Sequence, residues 1–172
     1  VDLALGSFEY LEVLTSAGHF TGTAPIWHRT LNCGFKITAS AGEDSILGLH
    51  ATPIIGSSRL YAYIGDKLEW PRYLEAIRLG RTFVTNGPLL SLAVDGRIPG
   101  DEIHLPAGDG TVEVNASVQS IVPLEKMEVN VNWKVIESSD GSPIRKRIII
   151  NQSGWITIRG NQSKLQPTID DT

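Results

Sequence analysis

The spacing of apolar residues separates a mixed first half of the chain from a second half that is all β. In the first half, Tyr10 to Leu14 is mostly apolar, as expected of a strand in a buried sheet. Pro25 to Cys33 is predicted to form a helix, because proline suits a first helical turn and Gly34 follows as a residue that ends helices. Phe35 to Ala41 and Leu60 to Ile64 are predicted strands.

The clearest helical pattern surrounds Pro71. Trp70, Leu74 and Ile77 lie at i, i+4 and i+7 and therefore share one face of a helix. Gly80 stands where a helix ends in a left-handed residue. This helix is predicted to close the first part of the chain.

Beyond Arg81, alternating apolar and polar residues predict strands and no helix. Turn signals such as Asn86-Gly87-Pro88 and Pro99-Gly100 separate the alternating stretches. Short strands at regular turn spacing favour a sandwich or a barrel. The predicted strands are Leu90 to Val94, Val112 to Val118, Met127 to Val135, Ile144 to Ile150 and Trp155 to Arg159.

The predicted fold class is therefore mixed α+β. We expect an α/β part over residues 1–80, an all-β, sandwich-like domain over residues 81–160 and a flexible tail over residues 161–172. Three strands and two helices cannot close a doubly covered parallel sheet, so we expect a partner chain or a missing N-terminal segment to complete the first part.

Self-association is the expected outcome of such an incomplete sheet. The strand surfaces at Leu11 to Leu14 and at Phe35 to Ala41 would be left uncovered, and open apolar faces and edges drive pairing. A two-fold homodimer is the commonest closed arrangement. The alternative is that the β domain folds back over this surface within one chain.

Composition excludes several classes of function. The chain has 172 residues, of which 41% are hydrophobic and 20% charged, with a net charge of −4. These values are ordinary for a soluble globular protein, and no basic patch indicates a nucleic acid partner. No apolar run approaches the ~20 residues that cross a bilayer, and no signal peptide is recognisable, so a cytoplasmic location is favoured over secretion. The single cysteine, Cys33, excludes an internal disulfide and is predicted to lie in the core.

Two carboxylates are candidate metal ligands. Asp44 follows the predicted strand Phe35 to Ala41, at the edge where α/β proteins bind ligands and where carboxylates hold hard cations or zinc. The alternative role of Asp44 is that of a simple turn residue. Glu12 lies between apolar neighbours in the first strand and needs a partner there, which a metal, Arg29 or a backbone amide would supply.

The histidines give a weaker signal. His19, His28, His50 and His104 form no H-x-H or H-x-x-x-H pair, so each is more typical of a surface or hydrogen-bonded histidine than of a ligand. His50 and His28 are kept as candidate additional ligands. No catalytic residue is assigned, because neither G-x-S-x-G nor a phosphate-binding glycine loop is present.

Several sequence blocks resemble the CehA/McbA-type metallohydrolases of the polymerase-and-histidinol-phosphatase (PHP) superfamily. The match runs in order from about Leu11 to Arg159, and the block Gly80 to Pro88 (GRTFVTNGP) is its most specific part. The other blocks are Leu31 to Phe35, Ala41 to Asp44, Arg59 to Tyr61, Val94 to Gly96, Pro99 to Asp101 and Ser153 to Ile156.

The resemblance implies a partial PHP-like β/α barrel followed by a β-sandwich, from a hydrolase of esters or phosphoesters that uses divalent Zn or Mn. Asp44 matches the late aspartate of the family's G-x-D motif, and Glu12 matches a strand glutamate. Ile46 stands where many members carry a histidine, and the family's early H-x-H pair would precede this chain. We therefore expect a hydrolase fragment that is inactive alone. The alternative is a non-catalytic binding or assembly module.

Overall fold

A computed structural model describes residues 2, 5–15, 22–48, 53–106, 108 and 110–162. The described part of the chain is mostly β, with ten strands and two helices. In chain order these are β1 (Tyr10–Thr15), α1 (Ala24–Asn32), β2 (Thr38–Gly42), β3 (Arg59–Ala62), α2 (Trp70–Arg78), β4 (Thr82–Thr85), β5 (Leu89–Val94), β6 (Gly110–Gln119), β7 (Leu124–Val131), β8 (Lys134–Ser139), β9 (Ile144–Ile150) and β10 (Ile156–Gln162).

The first part begins with a β-α-β unit. β1 and β2 pair in parallel, and α1 connects them, as a parallel connection requires. The indole N–H of Trp27 donates to the Ile37 carbonyl at 2.8 Å and ties α1 to the chain entering β2. Cys33, predicted in the core, is exposed just beyond the end of α1.

The expected open strand surface is largely covered within the chain. Val13, Leu14 and Ile37 are only 6%, 7% and 5% exposed. The prediction that the strand surfaces of β1 and of residues 35–41 are uncovered is therefore wrong at these positions. Phe35, which precedes β2, remains 38% exposed.

A second unit joins β3 and β4 into an antiparallel pair, with α2 between them in sequence. The rings of Tyr61 and Phe83 stack across this pair, with centroids 5.0 Å apart and planes 6° apart. Ala76 is the buried residue of α2. β4 lies beyond residue 80 yet pairs with β3, and the described strands do not close into a barrel.

The second part is built from two three-stranded antiparallel sheets, in the orders β5-β6-β9 and β10-β7-β8. The alternation predicted on β6 is present, because every second residue of that strand points into one core. Both sheets contribute to this core, which is the arrangement of a β-sandwich. The buried core residues are Val94, Val112, Val114, Ala116, Met127, Val129, Ile144 and Ile148.

The predicted strand Met127 to Val135 is wrong, because the chain reverses inside it. β7 ends at Val131, β8 begins at Lys134, and these two residues pair across the hairpin. The turn consists of Asn132 and Trp133, with φ of 48° and 71°. A two-residue turn with left-handed backbone matches the twist of the strands it joins, but the usual sequence signal is Asn-Gly. Trp133 continues the apolar alternation of Met127, Val129 and Val131, so the sequence pattern shows no sign of the turn.

The predicted tail starts too early. β10 continues through Asn161 to Gln162 and pairs there with the start of β7. Residues 163–172 of the predicted tail lie outside the described residues.

A strap of residues 97–106, between β5 and β6, connects the sandwich to the first part. Gly100 has a φ of +89°, and a Cβ at this residue would lie 2.2 Å from the Leu79 carbonyl oxygen. Lys36 Nζ donates to the Gly100 carbonyl at 2.7 Å, and Arg81 pairs with Asp101 at 3.2 Å. Only glycine allows the two backbones to come this close.

We predict that Gly100→Ala destabilises the protein far more than Gly96→Ala. Both glycines have positive φ, but nothing lies within 4 Å of a Cβ at Gly96. Gly96→Ala should cost about 1 kcal/mol of left-handed strain, and Gly100→Ala about 3 kcal/mol or more, because backbone must also move. Urea denaturation measures both, and equal losses would contradict the strap contact.

Candidate functional site

Glu12, in the middle of β1, lies close to the G-x-D motif at the end of β2. A Cβ at Gly42 would lie 2.3 Å from Glu12 Oε2 and 2.7 Å from its carboxyl carbon. The absent side chain of Gly42 therefore makes the space that the Glu12 carboxylate occupies. Asp44 follows two residues later, just beyond the end of β2.

Both candidate carboxylates are available for a ligand. Asp44 is exposed and holds a φ of 53°, which is uncommon for a residue with a side chain. Within the described residues, neither the Asp44 carboxylate nor the Glu12 carboxylate has a hydrogen bond or an ion pair. Arg29, one partner that the sequence suggested for Glu12, makes no ion pair in the same described ranges.

Glu43, between Gly42 and Asp44, has a different role. One carboxylate oxygen accepts the backbone N–H groups of Gly56 at 2.6 Å and Ser58 at 3.2 Å, and the other accepts the Ser45 hydroxyl at 3.2 Å. Glu43 thus ties the chain after β2 to the chain before β3. No signal in the sequence distinguishes this structural carboxylate from its neighbour Asp44.

We call Glu12 and Asp44 together the carboxylate edge. Across the part of the chain that the structure describes, no group of three or more His, Cys, Asp or Glu side chains could hold a metal ion. His28 is therefore not brought together with Glu12 and Asp44 as a metal-binding group. His50, the other candidate ligand, lies outside the described residues, as does His19, and His104 is exposed on the strap.

His28 instead lies among three tryptophans, and we call Trp27, His28, Trp133 and Trp155 the tryptophan cluster. The His28 ring centroid is 4.4 Å from that of Trp133, 5.0 Å from Trp27 and 5.1 Å from Trp155, with the last ring stacked at 26°. The Trp155 indole N–H donates to Asn32 Oδ1 at 2.7 Å. The cluster thus docks α1 onto the sandwich.

Burial governs the electrostatics of His28. Its Nδ1 is buried and has no hydrogen bond of normal geometry in the described ranges. Desolvation lowers the pKa of His28, the nearby Ala24 carbonyl opposes this shift, and the Arg159 guanidinium adds to it. His28 therefore packs as a neutral ring at neutral pH.

The two sandwich tryptophans are held by a compact arrangement of backbone and amide groups. The Trp155 N–H donates to Asn132 Oδ1 at 3.0 Å, and the Asn132 N–H donates to the Trp155 carbonyl at 3.1 Å. A Cβ at Gly154 would lie 2.1 Å from Asn132 Oδ1, so glycine is required beside the amide. Sequence reasoning missed this site because it placed Trp133 in a continuous strand.

A cleft of about 1960 Å³ lies beside the tryptophan cluster. It is lined by α1, β2 and β4 of the first part, by the strap, and by β7, β10 and the loop before β10. The four cluster residues all line it, together with the amides of Asn32 and Asn130. The cleft, like the cluster, lies where the two parts of the chain meet.

No protein-family model, curated protein or solved structure matches the chain. The resemblance to the PHP metallohydrolases therefore rests on the sequence blocks alone. Among the described helices, none combines the length and apolar character needed to cross a membrane.

We predict that acid weakens the protein through His28. The folded state lowers the His28 pKa below its ordinary value of 6.5, so the folded protein binds fewer protons than the unfolded chain in that window. The contribution of His28 burial to the free energy of unfolding is fully present above about pH 6.5 and is lost as the pH falls from there through the lowered pKa. His28→Phe, which keeps an aromatic ring, should remove this part of the pH dependence of the free energy of unfolding.

Urea denaturation between pH 5 and 8 is the measurement, and His104→Phe is the matched control at an exposed histidine. If His28→Phe and the unmodified chain lose stability in parallel over this window, the explanation from His28 burial fails.

Proposed function

We propose that this chain is the C-terminal part of a PHP-type, metal-dependent hydrolase of esters or phosphoesters, and that Glu12 and Asp44 are two of its metal ligands. The observation that carries the proposal is the carboxylate edge. The Glu12 carboxylate lies beside Gly42 at the carboxyl end of β2, Asp44 follows two residues later, and within the described residues neither carboxylate has a hydrogen bond or an ion pair. This end of parallel strands is where α/β enzymes bind their ligands. Gly42 leaves room for the Glu12 side chain and explains the glycine of the G-x-D block.

The two carboxylates are the kind of ligand that a divalent cation binds, but they are too few for a complete metal centre. Carboxylate oxygens bind Zn²⁺ or Mn²⁺ readily, but a hydrolytic centre takes at least three protein ligands and keeps an open position for water. The bound metal of such an enzyme activates that water. We propose that the remaining ligands come from a preceding segment of the polypeptide or from a second copy of the chain.

Within this proposal, Glu12 and Asp44 bind the ion, and Glu43 has a structural role beside them. We propose that Glu12 from β1 and Asp44 from the turn after β2 bind one ion between them. Glu43 keeps the following loop in place through its bonds to Gly56 and Ser58 and does not compete for the ion.

We predict weak Mn²⁺ binding by the isolated chain that depends on both carboxylates. A two-carboxylate site should bind with a Kd on the order of millimolar. Glu12→Gln and Asp44→Asn should each weaken binding by about threefold or more, since each removes one charged ligand. Glu125→Gln, an exposed carboxylate at the start of β7, is the control. Titration of the free Mn²⁺ signal by electron paramagnetic resonance measures the affinity, and identical binding by all four proteins would reject the site.

We also predict that the 172-residue chain alone does not hydrolyse 4-nitrophenyl acetate or 4-nitrophenyl phosphate in a metal-dependent way. The reason is the incomplete ligand set at the carboxylate edge. The assay is run with added Zn²⁺ and with added Mn²⁺. Metal-dependent turnover that disappears in Asp44→Ala would show that the chain completes its own metal centre.

A further inference from the structure

The turn between β7 and β8 holds an aromatic ring in an unusual backbone conformation. Trp133 has a φ of 71°, in the left-handed region where a large side chain costs conformational free energy and where glycine is usual in this turn. Its ring is 41% exposed, so burial compensates only part of this cost. Backbone strain retained at one exposed residue is a feature of functional sites.

The surroundings of Trp133 are rigid. Asn132 is bonded through both its side chain and its backbone to Trp155, and Gly154 leaves the space for the Asn132 amide. The Trp155 ring is in turn fixed by its bond to Asn32 Oδ1. The Trp155 indole is thus held by hydrogen bonds, and His28 contacts both this ring and the ring of Trp133. A site that is arranged before a ligand arrives loses less entropy on binding.

Amide and hydroxyl side chains lie along the cleft next to these indoles. Asn130 and Thr157 face each other directly across β7 and β10, and both line the cleft. Asn130 is 7% exposed, and its side chain has no hydrogen bond within the described residues. The Asn32 amide accepts from Trp155 through Oδ1, which leaves its N–H₂ group as a donor at the rim.

Charge in this region is largely compensated. Arg159 donates two hydrogen bonds to Glu128, at 3.1 Å and 2.5 Å, and Lys126 pairs with the same carboxylate at 2.7 Å. The chain as a whole carries a net charge of −4. A polyanion such as a nucleic acid is therefore a poor match for the cleft.

We propose that this cleft binds a saccharide, with one sugar ring against the exposed face of Trp133 and its hydroxyl groups bonded to Asn32, Asn130 and Thr157. A pyranose ring presents C–H groups on one face and hydroxyl groups at its edge. An indole face packs well against the C–H groups, and amide side chains can donate to and accept from adjacent hydroxyls. A mostly apolar wall with a few fixed polar groups is also the usual character of a small-ligand site.

This role does not rest on the proposed hydrolase function, because none of these residues belongs to the carboxylate edge. Glu12→Gln and Asp44→Asn should leave saccharide binding unchanged. Loss of Mn²⁺ binding and loss of saccharide binding are therefore separate outcomes, and either proposal can fail while the other stands.

The test is affinity electrophoresis of the full chain in native gels that contain barley β-glucan, xylan or galactomannan. We expect at least one of these polysaccharides to retard the chain. Trp133→Ala should raise the apparent Kd for that polysaccharide at least about tenfold, because the stacking ring is lost. Trp70→Ala is the matched control, since Trp70 is a 69% exposed tryptophan on α2, outside the cleft lining.

Two further variants keep the test decisive if Trp133→Ala does not fold, which circular dichroism shows. Trp133→Phe retains an aromatic face and should recover most of the binding, and Asn130→Ala should weaken binding without changing the indoles. Mobility unchanged by all three polysaccharides would overturn the proposal. Retardation that a folded Trp133→Ala or Asn130→Ala leaves untouched, or that Trp70→Ala abolishes, would overturn it as well.

Discussion

The close contact between the strap and the end of α2 fixes how the two parts of the molecule sit against each other. At Gly100 the strap backbone approaches the Leu79 carbonyl more closely than any residue with a Cβ would allow. Lys36 and the Arg81–Asp101 pair then bond across the same junction. These ion pairs are partly exposed and contribute little individually, so the backbone approach is the contact that determines the geometry.

Both candidate sites depend on small residues that leave space for a larger neighbour. Gly42 makes room for the Glu12 carboxylate, and Gly154 makes room for the Asn132 amide. In each case the missing side chain of a glycine makes room for the polar side chain of another residue. The carboxylate edge and the tryptophan cluster therefore belong to different elements of the fold but follow the same steric principle.

The sequence predicted most of the helices and strands, but it predicted their turns and their burial less well. Helix α2 and strand β6 lie where the apolar spacing predicted them, and the alternating residues of β6 are buried. The predicted apolar face of α2 is not buried, because Trp70 and Leu74 are exposed and Ala76 is the buried residue of that helix. The hairpin at Asn132 and Trp133 was missed, because its turn lacks the glycine that usually marks it and the alternation continues through it. The strand surfaces at Val13 and Ile37 were expected to be open, with cover by the β domain as the alternative, but they are buried. Cover supplied by distant parts of one chain leaves no local pattern in the sequence.

The candidate site was found in part. Asp44 and Glu12 were recognised from their positions relative to strands, and the structure adds why Glu12 fits beside Gly42. His28 was interpreted as a surface or hydrogen-bonded histidine and kept as a candidate ligand, but its place among indoles was missed, because Trp133 and Trp155 lie more than a hundred residues away in the chain. Contacts of this kind depend on tertiary packing and are not visible in local sequence.

The end of α1 docks onto the sandwich at Trp155, and the lone cysteine provides a direct test of this docking. Cys33 is exposed and follows Asn32, which accepts the Trp155 indole N–H. A bimane label on Cys33 should be quenched by contact with Trp155. We predict that Trp155→Phe increases the bimane emission, because the quenching indole is removed. Trp70→Phe should leave the emission unchanged. Equal emission from the labelled unmodified chain and the labelled Trp155→Phe variant would contradict the docking of the two parts.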